Sequence, residues 1–199
     1  MFTVLPRLYF GNLAYYSVYN QAKTVSFDPY EHFQKQSYRN RCTIISANSK
    51  QNLIVPINRR QRKEPIENLE ISYAEDWQRV HLGGIISSYQ ASPFYEHYAH
   101  LFESFYKEFK PKTLWELNKK AHEIVKTILG IEKPEIRATE FVKNYAHDFR
   151  NKCKPNDDFN RQFKHRPYLQ VFEERHGFQI NMSILDLVFN EGPNSSSFL

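Results

Sequence analysis

Long apolar runs, glycine and cysteine are scarce in this chain, and each scarcity removes a class of function. No stretch of its 199 residues approaches the roughly 20 consecutive apolar side chains that a membrane-spanning helix needs. The opening, Met1 to Pro6, lacks the basic start and the apolar length of a secretory signal, so the expected location is cytoplasmic, with no transmembrane segment. Only six glycines occur, and none sits in Gly-x-Gly-x-x-Gly or Gly-x-x-x-x-Gly-Lys, which argues against dinucleotide and P-loop chemistry. Two cysteines, Cys42 in a predicted strand and Cys153 in a polar basic stretch, are too few for a disulfide framework. No Gly-x-Ser-x-Gly, His-Glu-x-x-His or Cys-x-x-Cys is present, so no metal and no cofactor are expected.

What is abundant is tyrosine and phenylalanine, 13 and 16 residues, which makes a globular core and many half-buried hydroxyls available. The length suits one well-buried core, and a single domain over 1–199 is expected. A formal charge of +5 favours anionic partners without naming one.

The pattern of apolar residues changes period along the chain. Short runs at Phe2 to Leu5, Thr24 to Phe27, Cys42 to Ala47 and Leu53 to Ile57 read as strands, with Leu69 to Ile71 as a fifth and Asn48 to Gln51 as a hairpin turn. Asn12 to Lys23 has loosely helical spacing. From Asp76 onward helices dominate: Asp76 caps one through Tyr89, and Ser92-Pro93 signals the start of another bearing Tyr95, Phe102 and Phe105. Thr113 and Glu116 form a capping box for a third that Gly130 ends, and a last helix runs from Ser183 to Asn190 and stops at Gly192-Pro193. The tail from Asn194 is expected to fray, and residues 133–166 show no clear period and read as a long loop. Strands followed by helices predict an α+β domain, its mixed or mainly antiparallel sheet drawn from the N-terminal third and covered by C-terminal helices.

The segment His32 to Arg41 gathers Lys35, Arg39 and Arg41, with Asn40 as a neutral donor, just ahead of a strand. Guanidinium forks suit a phosphate or carboxylate, and three like charges so close call for an anionic ligand or neighbouring carboxylates. His32 and His81 are the candidate catalytic bases, because imidazole titrates nearest neutral pH. Trp77 lies one helical turn from His81 and could share a pocket wall with it, while Asp186 and Asn190, four apart on the last helix, could aim together at a ligand. The basic run Asn58 to Lys63 lacks interleaved aromatics and reads as a solvated loop, so no nucleic-acid partner is expected. His97 and His100, on the polar side of an amphipathic stripe, read as solvated rather than metal-ligating. Gly83-Gly84 inside a helix points to close packing against another backbone.

The run Tyr30 to Cys42, followed by Thr43-Ile44-Ile45 and Leu53-Ile54-Val55-Pro56-Ile57, resembles the WbqC-like protein family. So do Trp77 with His81, Ser88-Tyr89, Ser92-Pro93-Phe94-Tyr95, Tyr168-Leu169-Gln170-Val171-Phe172 and Ser183 to Pro193. The resemblance implies a protein of O-antigen or other surface-polysaccharide biosynthesis. It further implies transfer of an aminoacyl or acyl group to a nucleotide-linked or lipid-linked sugar, or else a non-catalytic sugar-nucleotide-binding or assembly role in the same pathway.

Overall fold

The computed structural model describes residues 2–152 and 154–199, so Cys153 lies outside the described residues. In chain order the elements are β1 (Thr3–Leu5), α1 (Leu13–Gln21), β2 (Val25–Phe27), β3 (Arg41–Ile45), β4 (Lys50–Ile54), α2 (Trp77–Tyr89), α3 (Tyr95–Lys107) and α4 (Leu114–Leu129). These are followed by β5 (Glu135–Arg137), α5 (Asp158–Gln162), α6 (Glu173–His176) and α7 (Ile184–Glu191). The architecture is α+β: strands β1, β2 and β5 form a parallel sheet in that order, and β3 and β4 form a separate antiparallel hairpin. Buried side chains from Leu5 through Phe189 pack as one cluster, with α4 and α7 buried along most of their length.

Local signals explain most helix ends. The Asp76 carboxylate accepts from the Arg79 amide at 3.4 Å and starts α2 where the sequence places it. At α4, Thr113 Oγ1 accepts from the Glu116 amide at 3.3 Å while Glu116 Oε2 accepts from the Thr113 amide at 3.2 Å, and Gly130 closes the helix at φ 62°. Ser183 Oγ accepts from the Leu185 amide to begin α7. Gly192 ends it at φ 53°, where an added Cβ would stand 2.3 Å from the Phe94 ring. Only glycine meets both conditions there.

Four expectations give way. Ser92 does not cap α3; its hydroxyl donates instead to the Tyr89 carbonyl at 2.6 Å, which also accepts from the Ser92 amide at 2.8 Å, and α3 starts later without a side-chain cap. Leu69 to Ile71 is extended but makes only single bridges, Ile57 to Ile71 and Glu70 to Thr113. Beyond α7 the tail does not fray: Gly192–Phe198 forms a 3-10 turn in which Ser195 is buried and its hydroxyl donates to Gly192 O at 2.7 Å. Residues 133–166 supply the third parallel strand. Glu135 draws it in by accepting from Tyr19 Oη at 2.7 Å, Lys126 Nζ at 3.0 Å and His122 Nε2 at 3.0 Å, an ionic and polar attachment that hydrophobic periodicity does not reveal.

Gly83 and Gly84 divide their roles. A Cβ on Gly84 would come within 3.3 Å of the Gln51 and Leu53 side chains, so α2 lies close on β4 at that point. A Cβ on Gly83 would meet nothing. The close approach is therefore to side chains of the hairpin. Among the described residues no helix is long and apolar enough to cross a membrane.

Candidate functional site

The hairpin decides where the basic residues meet. Because β3 and β4 pair antiparallel with Arg41 opposite Ile54, the chain entering β3 and the chain leaving β4 lie at the same end. Residues 33–41 therefore face residues 54–59 and 70–72 across a groove of about 760 Å³, with Phe33 and Ile57 as apolar walls. Lys35, Arg41, Arg59 and Arg62 all line it. Arg59 is set by a 3-10 turn, Arg59–Gln61, whose first free amide, that of Arg60, donates to Asn58 Oδ1 at 3.2 Å.

These cations are unmatched. Glu70 is the carboxylate among the lining residues, and it is engaged by Lys112 Nζ at 3.2 Å, whose hydrogen bond holds the carboxyl below the usual range. Among the described residues no carboxylate pairs with Lys35, Arg41, Arg59 or Arg62. Nε of Arg41 and Nε of Arg62 are buried without a hydrogen-bond partner. So is Oδ1 of Asn40, whose Nδ2 donates to the Val55 carbonyl at 2.8 Å. Leaving such a donor unmatched costs on the order of 1–3 kcal/mol, and several cations around one cavity repel each other, so an anion carrying more than one charge answers both costs.

Of the residues expected in one site, Lys35, Asn40 and Arg41 are brought together. Arg39 is not. It is fully buried; its Nε donates to Glu31 Oε1 at 3.1 Å, its Nη2 donates to Glu31 Oε2, and Nη2 also donates to the Arg150 carbonyl at 2.8 Å. The carboxylate partner that the cationic segment called for thus exists for this one arginine, eight residues upstream. His32 is exposed, with Nδ1 3.4 Å from the Glu64 carbonyl, and lines an adjoining hollow of about 210 Å³ that shares Phe33 with the groove.

His81 and Trp77 lie beyond β4, around a different hollow of about 300 Å³. A hydrogen bond of 2.9 Å joins His81 Nδ1 and Tyr9 Oη, the ring also bonds the Ile54 backbone, and burial pushes its pKa down to about 4. Its ring sits edge-on to Trp77, 5.1 Å between centroids. Asp186 and Asn190 face the interior: Asp186 Oδ2 accepts from Tyr168 Oη and Gln170 Nε2, both at 2.6 Å, and Asn190 Nδ2 donates to the Asp186 carbonyl at 2.7 Å. Burial raises the Asp186 pKa to about 6. His97 and His100 are exposed on α3.

Arg59 and Arg62 are the site residues that sequence reasoning set aside. Their run lacks the interleaved aromatics of a nucleic-acid surface, and it reaches the groove because the antiparallel hairpin brings the loop after β4 beside the segment before β3. No curated protein and no solved structure matches the chain. A family model does, that of the WbqC-like protein family, over residues 8–154. That span carries the hairpin, α2 and every lining residue of the groove, and on it the chain belongs to the WbqC-like protein family.

Proposed function

We propose that this protein acts in surface-polysaccharide biosynthesis, of O-antigen or capsule, by holding the phosphate groups of a nucleotide-linked or lipid-linked sugar in the basic groove. One observation carries the reading: Lys35, Arg41, Arg59 and Arg62 converge on a single cavity in which none of them pairs with a carboxylate, Glu70 of the lining being engaged by Lys112. Each charged hydrogen bond to phosphate contributes about 1.5–3 kcal/mol. Arg41→Ala and Arg62→Ala should therefore each weaken binding of a nucleotide sugar or pyrophosphate about tenfold, measured by titration calorimetry, with the melting temperature little changed. Unaltered affinity in both would remove the groove from the function.

In the transferase form of this reading, the substrate's sugar amine or hydroxyl attacks the carbonyl of an aminoacyl or acyl donor while a general base takes its proton. The bond from that carbonyl to the donor's carrier breaks, the carrier leaving with the electron pair and a proton. His32 suits that step better than His81, because solvent reaches its imidazole, whereas the His81 ring is committed to Tyr9 and Ile54. His32→Gln should then lower turnover by about a hundredfold with affinity retained. The non-catalytic reading, a sugar-nucleotide-binding or assembly protein of the same pathway, draws support from the groove lining, which offers neither cysteine nor histidine. Full turnover in His32→Gln takes His32 out of the mechanism. Binding without turnover for any donor selects the non-catalytic form.

A further inference from the structure

The basic groove shares a wall with a second hollow. Ile54 and Pro56 line it and also line the hollow on the far side of β4, where Trp77 and Val80 of α2 form the opposite side. Eight large apolar side chains are exposed among the described residues, and three of them gather here: Ile54 at 44%, Tyr73 at 42% and Val80 at 55%. Tyr73 stands beside Trp77, 6.0 Å between ring centroids. Exposed apolar side chains scattered singly are ordinary, but a cluster sharing a wall with an unmatched cationic cavity is not explained by packing. On the rim, Asp76 and Arg79 neutralise each other, Nε to Oδ2 at 3.0 Å, which leaves Glu75 as the other charged lining residue.

The hollow is lined by Ile54, Pro56, Trp77 and Val80 together with Gln51, Asn52, Glu75, Asp76 and Arg79. The exposed side chains of Ile54 and Val80, which a ligand leaving the groove meets first, offer a nucleoside's hydroxyls and ring nitrogens no hydrogen bond. We infer that the ligand is an amphiphile, a phosphate or diphosphate ester of a long-chain alcohol, with its phosphates among Arg41, Arg59 and Arg62 and the first part of its chain crossing Ile54 into the hollow against Val80. The inference rests on the anion-binding reading of the groove and names the substrate class for it. Tightness then grows with chain length, by about fourfold for each methylene fully buried, until the hollow is filled.

Titrating the intact protein with pyrophosphate, isopentenyl diphosphate, geranyl diphosphate and farnesyl diphosphate keeps the head group constant while the chain grows. Affinity should rise at least tenfold from isopentenyl to geranyl diphosphate and then level off. Val80→Asp, at an exposed position, should abolish that rise. A flat series with binding that still depends on Arg41 leaves the groove standing and overturns the amphiphile. A rise that Val80→Asp leaves intact, or tighter binding of uridine diphosphate glucose than of geranyl diphosphate, also overturns it. If no member of the series binds, the groove reading falls and the inference with it.

Discussion

Arg39→Ala should destabilise the protein by about 3–5 kcal/mol and lower its Tm by roughly 10 °C or more, because it strands the buried Glu31 carboxylate without its partner. Groove ligands should bind the folded variant within a factor of about three of wild type, since Lys35, Arg41, Arg59 and Arg62 are untouched. Arg39→Lys should rescue little: an ammonium cannot bond both Glu31 oxygens and the Arg150 carbonyl in the planar arrangement that Nε and Nη2 provide. The companion change, Arg39→Met with Glu31→Leu, removes both charges together and should recover most of the loss, because burying an ion pair is costly in itself. Urea denaturation measures all three. A wild-type midpoint in Arg39→Ala, together with lost ligand affinity, would return this arginine to the binding site.

Opposed pH responses are expected from two buried groups. The His81 pKa is depressed from 6.5 to about 4, chiefly by burial. Between those values the unfolded chain binds a proton that the folded chain refuses, so stability falls as pH drops, by about 3 kcal/mol in all. Asp186 is raised from 3.8 to about 6, again chiefly by burial, with Tyr168 and Gln170 bonding its carboxylate. Here the folded chain holds the proton, so stability rises as pH drops through the same window, also by about 3 kcal/mol. In the wild type the two nearly cancel. His81→Gln should therefore gain stability relative to wild type as pH falls from 7 to 4, and Asp186→Asn should lose it, each judged as a difference so that other titrating groups drop out. Parallel stability profiles for wild type and both variants, from denaturant titrations across that range, would refute the assignment of these protons.

Helix limits were legible in the sequence because their causes are local. Asp76 and Arg79, Thr113 and Glu116, Gly130, and Ser183 with Gly192 act on backbone groups within a turn of themselves, and the structure places each where the spacing does. The exception is Ser92, which had two acceptable uses for its hydroxyl, and the nearer carbonyl, that of Tyr89, took it. The polar strand β5 was illegible because Glu135 bonds Tyr19, 116 residues away, together with His122 and Lys126.

The candidate site divides along the same line. By itself the sequence determined that the chain is basic, that its cations concentrate before β3 and after β4, and which family it resembles. Only the tertiary structure decided that Arg39 turns inward to Glu31 while Arg41, two residues on, lines the groove. It alone decided that Arg59 and Arg62 join Arg41, and that Trp77, His81, Asp186 and Asn190 belong elsewhere. Residue type sets what a side chain can bond, but which partner it meets depends on segments as far apart as Arg39 and Arg150, brought together by burial of a core that no short window of sequence contains.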